Sequence, residues 1–171
     1  IEEEPKVAAI GAGMDISKPS GNMVIDIGGG TTDIAILSLG SIVKSASLKI
    51  AGDAFDNDII KYMKSKYKLL IGERTAEEIK ISIGTVLTDR IDKMEVKGRD
   101  LVTGLPHVIT LTSKEVEEAL RDSVYKIISE IGNPTRDPMK IVSIAISHPR
   151  TNPNRKRSLI SPPPIDSFLN I

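Results

Sequence analysis

Asp26-Ile27-Gly28-Gly29-Gly30-Thr31-Thr32-Asp33 gathers the residues of this chain best suited to chemistry. Three adjacent glycines carry no Cβ, so backbone N–H groups there can approach an anion without steric obstruction, and positive φ is open to them. Thr31 and Thr32 add hydroxyl donors beside those amides. Such a turn can wrap a phosphate. A plain hairpin turn uses the same glycines, but Asp26 sharpens the choice. A carboxylate beside a phosphate-sized nest is repulsive unless a divalent cation lies between them, directly or through water. The stretch is therefore a candidate Mg-nucleotide hairpin.

Two further sets bear reactive groups. Gly52-Asp53 follows an apolar segment as a strand-to-helix turn. Glu77 and Lys80 are three apart in a helical pattern and so project from neighbouring positions, where an exposed ion pair of little energetic weight is the plain alternative. His107 and His148 lie far apart beside prolines and read as loop residues rather than ligands.

The elements that must position these groups follow from periodicity. Residues 23–27 and 34–39 read as strands on either side of the glycine turn, with Val24, Ile25 and Ile27 β-branched. Ser38-Leu39-Gly40-Ser41 is a second turn, and residues 42–50 alternate as a half-exposed strand. Upstream, residues 6–14 form a small-residue helix with Pro5 in its first turn; a polar loop covers 15–22. Asp53 or Asp56 caps a helix over 57–67, with Phe55, Ile59, Ile60 and Met63 as its apolar stripe. The spacing predicts a helix over 75–86, with Thr75 and Glu78 as a capping box and Ile79 and Ile83 on one face. Short strands over 91–96 and 108–111 flank a polar connection. Thr112 or Ser113 then caps a helix to about Ile131, with Val116, Leu120, Val124, Ile127 and Ile128 facing the core.

Charge is balanced over the 171 residues but uneven along them. Residues 1–131 hold 17 Lys and Arg against 21 Asp and Glu, a net of −4; residues 132–171 hold 6 against 2, a net of +4. No nucleic-acid surface is indicated in the first part. Cysteine is absent, which rules out a disulfide framework or thiolate metal site in this sequence. No apolar run approaches the roughly 18 residues of a membrane span, and no signal peptide is apparent.

In its hairpin this sequence resembles the actin, heat-shock-chaperone and sugar-kinase superfamily, and within it the MreB/Mbl family of bacterial actins. The resemblance runs from about Ile1 to Ile131, with several separated motifs in the family order. It implies an α/β fold: one actin-like (ribonuclease-H-like) ATPase lobe, a mixed sheet with a small α/β subdomain inserted at about 70–112, incomplete in this chain. It implies ATP and Mg as cofactors. Gly28, Gly29, Gly30, Thr31 and Thr32 would hold the β- and γ-phosphates, and Asp26 would hold the metal with its water. Glu4, just before Pro5, would activate the attacking water, with Glu3 in reserve because Lys6 and the extra acid blur the register. Gly52 and Asp53 would sit beside sugar and phosphates, although Ala51 replaces a family glycine. Glu77 and Lys80 would contact ribose and adenine.

The resemblance also implies a cytoskeletal role in rod cell shape and cell-wall synthesis, in the cytoplasm and at the membrane. Self-association into filaments and contact with the elongation machinery are further implications. A small-molecule kinase or chaperone-type ATPase of the superfamily, and an inactive or interaction-only remnant, are the alternatives. After Gly132 the character changes: seven of ten prolines and the cluster Arg155-Lys156-Arg157 lie in residues 132–171. That tail reads as mostly unfolded, apart from one possible strand over 140–147, and as a sign of a truncated or frame-disturbed copy. With one wall of the cleft, ATPase activity of the chain alone is expected to be weak or negligible.

Overall fold

The computed structural model describes residues 3–86, 91–132 and 141–147. The expectations for 133–140 and 148–171, including the basic and proline-rich stretches and His148, lie outside the described residues. The chain divides into two compact units, residues 1–51 with 127–171, and residues 52–126.

The first unit is built on a sheet of β1 (Gly21–Ile27), β2 (Thr32–Ser38), β3 (Ser41–Leu48) and β7 (Ile141–Ser147), in the order β3-β2-β1-β7. The β1–β2 and β2–β3 pairs are antiparallel, whereas β7 joins β1 in parallel, so the sheet is mixed. Both turns predicted for this meander are present. The second takes positive φ at Leu39 (51°) and Gly40 (71°), the twist-matched form of a two-residue hairpin. One sheet face buries Met23, Ile25, Ile34 and Ile36, with Ile131 packed against them; the other buries Val24 and Leu37 against Ala9. Ala9 belongs to α1 (Glu4–Gly11), which starts at Glu4 with Pro5 in its first turn and ends three residues earlier than the sequence predicts.

In the second unit, α2 (Gly52–Tyr67), β4 (Leu69–Leu70), α3 (Glu73–Ile83), β5 (Lys93–Asp100), β6 (Pro106–Thr112) and most of α4 (Ser113–Gly132) enclose one core. Its sheet is antiparallel in the order β4-β5-β6. Ile59, Met63, Ile79, Ile83, Val96, Leu111, Val116 and Leu120 are buried together, with Phe55, Ile60 and Val124 packed on them. The predicted stripes of α2 and α3 therefore face inward.

Several expectations are corrected. Helix α2 begins at Gly52, so Asp53 and Asp56 lie inside it rather than capping it at 57. Helix α3 begins at Glu73 behind Gly72, without a side-chain cap, so Thr75 and Glu78 form no capping box; Glu78 lies 3.4 Å from Arg74 instead. The box forms at α4, where Glu115 Oε2 accepts the Thr112 N–H at 3.0 Å and Glu115 N–H reaches Thr112 Oγ1 at 3.4 Å. Ile128 is 47% exposed rather than core. Strands β5 and β6 run further than predicted, and a tight turn replaces the long polar connection. The Asp100 side chain accepts the N–H groups of Val102 and Thr103 at 2.7 and 2.8 Å, and Gly104 takes φ 74°.

Candidate functional site

The glycine turn stands at the end of the β1–β2 hairpin. Gly29, Gly30 and Thr31 are exposed at its tip, and Asp26 is half-buried one residue before the end of β1. Gly28 N–H donates to the Thr31 carbonyl at 2.8 Å, which closes the turn and takes that amide away from any ligand. Gly28 and Gly30 do not use the positive φ that is open to glycine. What glycine supplies here is room. A Cβ at Gly28 would stand 3.2 Å from the Thr31 oxygen, and one at Gly30 would meet no atom within 4 Å. The backbone at Gly30 is thus open to an approaching group.

The two threonines differ. Thr31 Oγ1 donates to Asp33 Oδ2 at 3.2 Å on the exposed tip. Thr32 is fully buried, and its hydroxyl donates to the Ile50 carbonyl at 2.6 Å. Its side chain therefore ties β2 to the segment after β3 instead of standing as a free donor beside the amides. Asp26 and Asp33 are register partners. Glu4 is exposed in the first turn of α1, whereas Glu3 pairs with Lys6 at 2.9 Å.

The remaining predicted residues belong to the second unit. Gly52 is buried at the start of α2, and Asp53 is exposed in the next position. Glu77 is half-buried on α3. Lys80 reaches from α3 to α2, where its Nζ donates to the Gly52 carbonyl at 3.0 Å and to Asp56 Oδ2 at 2.8 Å. The structure thus brings Gly52 and Lys80 into direct contact. Asp56, read from sequence only as a helix cap, is the residue that sequence reasoning missed. Its partner lies 24 positions away, and the i, i+3 pattern of Glu77 and Lys80 gave no hint of it.

Elsewhere in this unit, Lys66, Tyr67 and Thr112 converge on Glu115. Burial pushes the Glu115 carboxyl up, but hydrogen bonds from these three groups outweigh it and hold the group at about 2. Burial and the bond to Glu115 push Tyr67 up to about 12.

The hairpin fits a metal carried by a phosphate better than a metal cage. Among the described residues, no group of three or more His, Cys, Asp or Glu side chains is gathered for an ion. Asp26 supplies a carboxylate next to an unobstructed backbone, the donor set that suits Mg retaining waters and phosphate oxygens. No helix among the described residues is long and apolar enough to cross a membrane.

A family model described as MreB/Mbl protein matches residues 1–137. The chain is similar to the cell shape-determining protein Mbl of Bacillus subtilis, at 65% identity over 129 residues, covering 75% of this chain and 39% of that protein. It is 48% identical over 130 residues to the cell shape-determining protein MreB of Escherichia coli, covering 75% of this chain and 38% of that one. Its fold matches the crystal structure of MreB 5 of Spiroplasma citri bound to AMPPNP with a TM-score of 0.81 at 41% identity, over 87% of this chain and 47% of that chain. The chain spans less than half the length of each of these relatives.

Proposed function

Because the chain belongs to the MreB/Mbl family, we propose that it forms part of an actin-like, ATP-binding cytoskeletal protein acting in rod cell-shape maintenance and the organisation of cell-wall synthesis. The observation that carries the nucleotide reading is the exposed hairpin tip, where the backbone at Gly30 is unobstructed and Asp26 stands nearby. In this reading the Gly29, Gly30 and Thr31 backbone cradles phosphate, with Gly28 and Thr32 shaping the turn. Asp26 is the residue that would hold Mg, whose charge offsets that of the triphosphate. Glu4 would orient and deprotonate water, while Gly52, Asp53, Glu77 and Lys80 would face the nucleoside. The solved relative's binding of AMPPNP supports nucleotide as the ligand class.

Self-association into filaments, a cytoplasmic location at the membrane surface and contact with the cell-wall elongation machinery belong to the same proposal. ATPase activity of this chain by itself should be weak, since phosphate donors from one lobe leave the triphosphate in water, where ionic contacts are weak. A small-molecule kinase or chaperone-type ATPase would share the hairpin, but 65% identity to a cell shape-determining protein favours the cytoskeletal reading. An interaction-only piece would enter filaments of an intact relative without nucleotide. Calorimetric titration with Mg-ATP, beside Asp26→Ala, tests the proposal. Dissociation constants on the order of micromolar in the parent and none in the variant are expected; no binding in either protein removes the nucleotide function from this chain.

A further inference from the structure

The Lys80–Asp56 pair sits in a setting that stability does not explain. The two side chains are only 15% and 14% exposed, and Lys80 Nζ lies 2.8 Å from Asp56 Oδ1. It lies equally close to Oδ2, to which it donates. Oδ1 is buried and receives no well-aligned hydrogen bond. Desolvating two charges roughly cancels their attraction, and an apolar pair of similar volume is often as stable. What such a pair gives is position. A lysine stem is rich in rotamers, and here it is held at its tip by Asp56 on one side and the Gly52 carbonyl, 3.0 Å away, on the other. An ammonium has three protons, and the hydrogen bonds to these two acceptors use two of them.

We propose that Asp56 is a positioning residue for nucleoside recognition. It fixes Lys80 so that the third N–H meets an uncharged acceptor, a ribose hydroxyl or a ring nitrogen, and it neutralises the ammonium so that Lys80 does not compete for phosphate. This rests on the nucleotide reading of Lys80 given above. The preorganised donor contributes affinity because its ordering cost is met before the ligand arrives.

The test compares Mg-ATP with Mg-tripolyphosphate, which lacks the nucleoside, on the parent chain, Asp56→Asn, Asp56→Glu and Lys80→Met. Asp56→Asn should weaken Mg-ATP about tenfold, the scale of one hydrogen bond from a charged donor, and leave tripolyphosphate within about twofold, with Asp56→Glu recovering part of the loss. If Asp56→Asn binds Mg-ATP like the parent, or loses both ligands alike, the positioning role is overturned while the nucleotide site stands. If the parent binds neither ligand, the nucleotide reading fails and this inference fails with it. Should Asp56→Asn not fold, Asp56→Glu, which keeps the charge but moves it by one methylene, must itself show an ATP-only loss; parent affinity for both ligands would overturn the proposal.

Discussion

Asp26 on β1 and Asp33 on β2 are direct register partners, so two carboxylates stand opposite each other beside the glycine turn. Opposed residues of an antiparallel pair share a face, and like charges directly opposite each other are unfavourable. Without a cation the same charges repel a triphosphate. The sign of an Asp26→Asn change should therefore depend on metal. With Mg present, the variant is expected to bind ATP at least about tenfold more weakly; in EDTA it should bind no worse than the parent. Calorimetry in the two buffers checks this. Equal losses in both would show that Asp26 holds the hairpin's shape and not an ion.

Gly30 and Gly98 should separate function from packing. A Cβ at Gly30 meets nothing within 4 Å, so Gly30→Ala should change stability by no more than about 0.5 kcal/mol. Its effect should appear in Mg-ATP affinity, since the methyl enters the space assigned to phosphate. At Gly98 a Cβ would lie 2.7 Å from both Leu69 Cγ and the Leu70 oxygen, where β5 passes β4. Gly98→Ala should cost about 1–3 kcal/mol by overpacking. Urea unfolding of the two variants beside the parent gives both numbers; a large loss at Gly30 would count against a vacant cradle.

The strands of the first unit and the stripes of α2 and α3 were legible because burial imposes period on sequence. The β-branched run Val24-Ile25, buried on both faces of the sheet, and the spacing of Ile59, Met63, Ile79 and Ile83 are direct records of what is inside. Caps were less legible because two segments carry the same Thr-x-x-Glu pattern. At Thr112 the preceding strand ends on the cap, and the Ser113 N–H is fixed to Asp92 O at 2.9 Å, so the box closes. At Thr75 the chain is already helical from Glu73, which local residue types do not announce. For the site, the hairpin was readable as a contiguous motif. The tie from Lys80 to Asp56 and the diversion of the Thr32 hydroxyl to Ile50 are long-range pairings, and nothing in local spacing encodes them.

Thr31 and Thr32 look equivalent in sequence and should behave oppositely. The buried Thr32 hydroxyl satisfies the Ile50 carbonyl, so Thr32→Val strands that acceptor and should cost about 1–3 kcal/mol. Thr31 is exposed with a 3.2 Å bond to Asp33, and Thr31→Val should cost under about 0.5 kcal/mol. Thermal unfolding of both variants decides it. Comparable losses would mean that Thr32 is not enclosed as described.

Glu115 makes the stability of the second unit acid-sensitive. Its carboxylate accepts from Tyr67 and Thr112 and pairs with Lys66 at 3.0 Å, and it titrates at about 2 rather than 4.5. A depressed folded-state value means that the unfolded chain takes up the proton first. The contribution is thus complete above about pH 4.5 and is lost as pH falls toward 2. Lys66 is 44% exposed, so solvent screening reduces the effect to about 1–2 kcal/mol. Glu115→Gln keeps an acceptor for the Thr112 N–H but removes the titrating charge. Urea unfolding followed by far-UV circular dichroism at pH 7 and pH 3 should show the parent losing about 1–2 kcal/mol more than the variant between the two conditions. Identical losses would place the acid sensitivity on other carboxylates, Glu118 first among them. That group is also held low by its bond from Tyr62, but at the exposed rim of the same cluster.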